Sequence, residues 1–101
     1  MLSEKYDIEE FIEKIKNKDR LDMIYIIEDE IEEYEKHSII RKLSNEKLDY
    51  LKDLLSLQYF IKTGLKPKLL SDSTFLKFKG ISENLIAKNQ FGQEVVDLFK
   101  I

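Results

Sequence analysis

Between Ser44 and Thr63 the chain sets Leu48, Leu51, Leu54, Leu55, Leu57, Phe60 and Ile61 in one helical stretch, so that apolar side chains cover more than half of its circumference. A helix wet on so little of its surface belongs at the centre of a domain or is shared between two subunits. Its ends are marked: Ser44 is suited to the N-cap, Gly64 to the C-terminal stop with Leu65 placed for the accompanying apolar contact, and Pro67 discourages continuation. Leu51 and Leu55 are therefore expected among the most buried residues of the fold.

The segments before it read as two further helices. Asp7 followed by Glu10 has the form of a capping box, and Ile8, Phe11, Ile12 and Ile15 recur at helical spacing, which predicts a first helix over about residues 8–17. Asp19 is placed to cap a second helix whose stripe is Ile24, Ile27, Ile31 and Tyr34, surrounded by Glu28, Asp29, Glu30, Glu32, Glu33 and Glu35. No glycine or proline decides whether it ends near Lys36 or runs through Ile39, Ile40 and Leu43.

After Pro67 the period changes. Ser71 to Thr74 reads as a turn, and Phe75 to Lys79 has the aromatic content and short alternation of a strand ending at Gly80. A second strand at Leu85 to Lys88 would close a hairpin; the same residues also suit a helical turn capped by Ser82. Asn89 is placed to cap a last helix bearing Phe91, Val95, Leu98 and Phe99, despite Gly92 in its first turn. The expected fold class is thus mainly α: a compact helical domain of about four helices, with at most one short β-hairpin between residues 74 and 88.

A chain of 101 residues suits one domain, and 43% hydrophobic with 37% charged residues supplies a core under a highly charged surface. With no cysteine, disulfides, thiolate metal sites and cysteine nucleophiles are excluded. His37 is the single histidine and reads as a partly exposed residue near a helix end, while the three glycines fit neither a Walker loop nor a dinucleotide fingerprint. No segment reaches the roughly 18 apolar residues of a membrane span and the first residues lack a signal-peptide core, so no membrane association and a cytoplasmic location are expected.

Charge is uneven. Residues 1–35 hold 13 acidic and 5 basic side chains, whereas residues 62–88 hold 6 basic and 2 acidic. Such polarity aims a protein at a charged partner or lets two parts of one domain attract each other. The reading favoured by the residues is a small non-enzymatic regulatory or interaction protein that binds a protein partner through the charged face of the second helix, with Glu28, Glu32 and Glu35 as the contact row. No metal or other cofactor is required. Helix three leaves a homodimer open.

Two resemblances supply alternatives. The order of a helix, a hairpin at Phe75 to Lys88 and a closing helix resembles a winged-helix domain, and this implies a DNA-binding regulator with Lys77 and Lys79 near phosphate. The candidate recognition helix, however, balances Lys47, Lys52 and Lys62 against Glu46, Asp49 and Asp53. Asp29, Glu30 and Glu33, followed by Glu46 and Asp49, resemble the paired acidic motifs of the all-helical MazG-like nucleotide pyrophosphohydrolases over residues 21–65. That resemblance implies Glu30, Glu33, Glu46 and Asp49 on facing helices as magnesium ligands; it departs at Asp29, where the family has glutamate.

Overall fold

In the computed structural model residues 7–40 and 44–99 are described, and all regular structure among them is helical. The order is α1 (Ile8–Ile15), α2 (Arg20–Ile40), α3 (Asn45–Thr63), α4 (Asp72–Leu76), α5 (Lys79–Ala87) and a closing 3-10 helix (Gln93–Phe99). None of the described helices is long and apolar enough to cross a membrane.

The local signals at the start of α1 and at both ends of α3 behave as their chemistry demands. The Asp7 carboxylate accepts from the Glu9 N–H at 3.0 Å, and Ser44 Oγ accepts from the Lys47 N–H at 3.3 Å. Gly64 adopts φ 72°, the left-handed conformation that closes α3, while its N–H donates to the Phe60 carbonyl at 2.7 Å. The Asp19 carbonyl accepts the first helical bond of α2, from Met23 at 2.9 Å. α2 continues through Ile39 and Ile40; Leu43 lies outside the described residues.

No strand or hairpin occurs among the described residues, so the expected hairpin between residues 74 and 88 is replaced by α4 and α5. The reason is the true period of the apolar positions. Phe75, Phe78, Ile81 and Leu85 are fully buried while Leu76 is 46% exposed, a spacing of three and four rather than two. Ser71 starts this segment, its Oγ accepting from the Thr74 N–H at 3.3 Å. Gly80, read as a strand end, lies inside α5, and Ser82, read as a cap, is buried there. Asn89 is corrected too: with φ 60° it terminates α5 instead of capping the closing helix, a left-handed role that asparagine tolerates.

The core forms where these helices meet. α1 contributes Ile8, Phe11, Ile12 and Ile15, all buried as its periodicity requires, and α2 contributes Met23, Ile27 and Ile31. α2 and α3 run antiparallel: the Tyr34 and Tyr50 rings meet edge to face at 5.3 Å near their connection, and Glu28 pairs with Lys62 at the far end. Phe60 is the hub of the opposite end, with Phe75, Phe91, Phe99 and Phe78 at ring distances of 5.4, 5.5, 5.7 and 5.9 Å.

That hub sets the rotation of α3. Tyr50, Leu54, Leu57, Phe60 and Ile61 point inward, while Leu51 is only half-buried and Leu55 is 43% exposed. The expectation that Leu51 and Leu55 lie deepest is therefore wrong. A helix apolar over more than half of its circumference has too weak a periodicity to choose its inner face, and the aromatic partners of Phe60 and Tyr50 choose it instead.

Arg20 joins the parts. Its guanidinium donates to the carbonyls of Ile61 (2.8 Å), Lys62 (2.7 Å) and Gln90 (3.4 Å) and stands 5.0 Å from the centre of the Phe91 ring. Its own N–H donates to Gln90 Oε1 at 2.6 Å.

Two stability measurements test this packing. Leu54→Ala is expected to cost about 2 to 5 kcal/mol in urea unfolding, and Leu55→Ala less than about 1 kcal/mol, because only the former empties a closed site. Arg20→Ala is expected to cost about 2 to 3 kcal/mol, with Arg20→Lys recovering less than half, since an ammonium cannot span two carbonyls and a ring. A loss below about 0.5 kcal/mol on Arg20→Ala would refute its joining role.

Candidate functional site

The two long helices present an outer face built by simple spacing. On α2, Leu21, Tyr25, Glu28, Glu32 and Glu35 recur every three or four residues and therefore share one side of the helix; all five are exposed. On α3, Leu48, Leu55 and Tyr59 share the side opposite the core and are 39, 43 and 45% exposed. The sequence-predicted row Glu28, Glu32 and Glu35 is thus brought together, and it lines a shallow groove of about 330 Å³ with Leu55 and Gln58 of α3. Glu28 meets Lys62 at 3.4 Å across the helix pair, both half exposed to solvent.

The acids of the nucleotide-hydrolase resemblance are not gathered. Glu30 turns toward α1 and α3 and accepts from the Tyr50 hydroxyl at 3.0 Å, beside Glu10, Lys14 and Tyr34. Burial, and then the Glu30 carboxylate, push the Tyr50 phenol well above its ordinary range, so it stays a neutral donor to Glu30. Asp49 lies on another side of α3, in a cleft with Lys52 and Asp53, while Glu33 and Glu46 are exposed. Among the described residues no three histidine or acidic side chains converge as a metal ion needs. The residues therefore do not fit a magnesium centre, and no catalytic step is derived from them.

The basic positions of the winged-helix resemblance are engaged within the fold. Lys77 Nζ lies 3.4 Å from Glu9 and Lys79 Nζ 4.0 Å from Glu83. With α4 and α5 in place of a hairpin, the wing that was to carry them is not formed. His37 belongs to α2, and its side chain lies outside what the structure describes.

Leu48, Leu55 and Tyr59 were missed as surface residues, although a signal existed: α3 has more apolar side chains than one inward face can hold. Asp53 was also missed. Its carboxyl is raised above the ordinary value mainly by burial, with Asp49 adding to the effect and Lys77 opposing it.

Compared with protein families, curated proteins and solved structures, the chain matches none.

Asp53 yields a test of these electrostatics. A carboxyl whose folded value is raised stabilises the fold below its unfolded value, and this contribution is lost as pH rises through the folded one. Asp53→Asn is therefore expected to melt at higher temperature than the parent at about pH 7, with the gain vanishing toward about pH 3. Equal gains at both pH values would show that the ionised carboxylate is not the cause.

Proposed function

We propose that this chain is a non-enzymatic interaction protein whose α2–α3 face receives a basic amphipathic helix of a partner protein. The observation that carries the reading is the exposed row Leu48, Leu55 and Tyr59 on α3, whose Leu55 shares a groove with Glu28, Glu32 and Glu35 of α2. A helix laid along the pair would cover the exposed apolar side chains with its own apolar stripe and turn its cations toward the glutamates. Leucine and tyrosine anchors hold such a complex, while the acid row steers encounter and excludes acidic competitors. Regulation then comes from occupancy, because a helix held here cannot engage its other targets. The reading needs burial and charge complementarity alone.

The test uses a synthetic amphipathic helix with leucines at i, i+4, i+7 and i+11 and lysines opposite, titrated into the labelled protein while amide resonances are followed. Shifts are expected to cluster over residues 28–35 and 48–59. Converting Glu28, Glu32 and Glu35 to lysine is expected to weaken binding by about tenfold or more, most strongly at low salt. Glu13→Lys, on α1, is expected to leave it unchanged, and a peptide with glutamates for lysines is expected not to bind. Shifts confined to other helices, or equal weakening by Glu13→Lys, would overturn the assignment of this face.

A further inference from the structure

A second and larger cleft, of about 700 Å³, lies on the other side of Leu55, between α3 and the segment of residues 67–74. Leu55, Pro67 and Leu70 give it apolar walls, and its α3 side carries two carboxylates, Asp49 and Asp53, with one cation, Lys52, between them in sequence. At its rim stands Leu69, 102% exposed, as open to water as in an extended chain. A leucine held out in this way gains no burial from its own fold. Its neighbour Lys68 is exposed as well, whereas Lys66 is engaged by Asp72 and lies over the Phe75 ring.

One patch therefore holds both an apolar hollow whose α3 wall carries two carboxylates against one lysine and an apolar knob with a basic neighbour. The knob has the chemistry that the hollow asks for. It does not fill its own hollow, since full exposure means that no part of the Leu69 side chain is covered by its own chain. A patch of this kind is self-complementary, and self-complementarity is what a two-fold interface demands: where residue i of one copy meets residue j of the other, j also meets i.

We infer that the chain forms a two-fold dimer in which Leu69 of each copy enters the cleft of the other, bounded by Leu55, Pro67 and Leu70, while Lys68 of each faces Asp49 and Asp53 across the interface. A small ligand in the cleft would leave Leu69 in water; a second copy covers both knobs at once. Charge also fixes the pairing direction, because a copy docked the other way round would set Lys68 against Lys68 and the carboxylates against each other. The interface shares Leu55 with the proposed helix-binding face and no other residue, so each surface can be tested by variants that leave the other intact.

Sedimentation equilibrium on the full chain from about 1 µM to about 1 mM tests this. The parent chain is expected to reach twice the monomer mass within that range, and Leu69→Asp to weaken the association by about tenfold or more. Circular dichroism of the variant should match the parent, since Leu69 makes no contribution to the core.

Lys68→Glu and Asp49→Lys test the pairing itself. Each variant alone is expected to associate more weakly than the parent, because its dimer sets like charges face to face. Mixed in equal amounts they are expected to associate more tightly than either alone, because in the mixed pair Lys68 of the Asp49→Lys chain meets the intact Asp49 and Asp53 of the Lys68→Glu chain, and the two substituted positions set opposite charges against each other. A parent chain that stays monomeric throughout, a dimer indifferent to Leu69→Asp, or a mixture no tighter than its components would each overturn the inference. Leu69→Asp is expected still to bind the basic helix, with shifts over residues 28–35 and 48–59, which separates failure of this dimer from failure of the helix-binding reading.

Discussion

The arrangement of helices depends on how their C-terminal ends are closed. The last four carbonyls of a helix lack partners within it, and in a fold of this size some of them come to lie between packed elements. Here the acceptors are reached by side chains from distant parts of the chain. Arg20 closes the end of α3 through Ile61 and Lys62, and it adds Gln90 and the Phe91 ring to the same contact. The end of α1 is closed likewise, with Asn84 Nδ2 donating to the Lys16 carbonyl at 2.7 Å and Lys88 Nζ to that of Asn17 at 2.5 Å. Each bond joins segments 41 to 71 residues apart in sequence, so satisfying a helix end and fixing the tertiary arrangement are one event.

Around that framework the aromatic cluster at Phe60 decides which way α3 faces, and this choice has a consequence for the surface. Once Leu54, Leu57, Phe60 and Ile61 are turned inward, Leu48, Leu55 and Tyr59 must turn out. Of these, Leu55 emerges beside the glutamate row of α2 on one side and at the cleft of residues 67–74 on the other. The two proposed contact surfaces are thus products of the same packing decision, with Leu55 as the ridge between them.

The charge polarity along the chain is partly consumed within the fold. Lys62, Lys77 and Lys88, from the basic third quarter, stand against Glu28, Glu9 and Asp19, from the acidic first third, each pair at 3.4 Å. Such exposed pairs contribute at most about 1 kcal/mol each, so they orient segments more than they hold them. The acidic bias on the outer face of α2 is a row rather than scattered charge, because Glu32 and Glu35 fall on the same side of the helix as the paired Glu28.

The sequence by itself determined where the first helix starts and where the third starts and stops, because caps act over three or four residues: Asp7, Ser44 and Gly64 do locally what their side chains or lack of one allow. It also determined that Glu28, Glu32 and Glu35 share a face, which needs only the pitch of a helix. Where two periods fitted the same residues, as at Phe75 to Lys79, local pattern was insufficient, and burial of Phe75 with Phe78 settled the matter for helix. The rotation of α3, the left-handed turn at Asn89 and the reach of Arg20 were decided only by tertiary structure. Each depends on a partner tens of residues away, and neither helical pitch nor capping chemistry carries information over that distance.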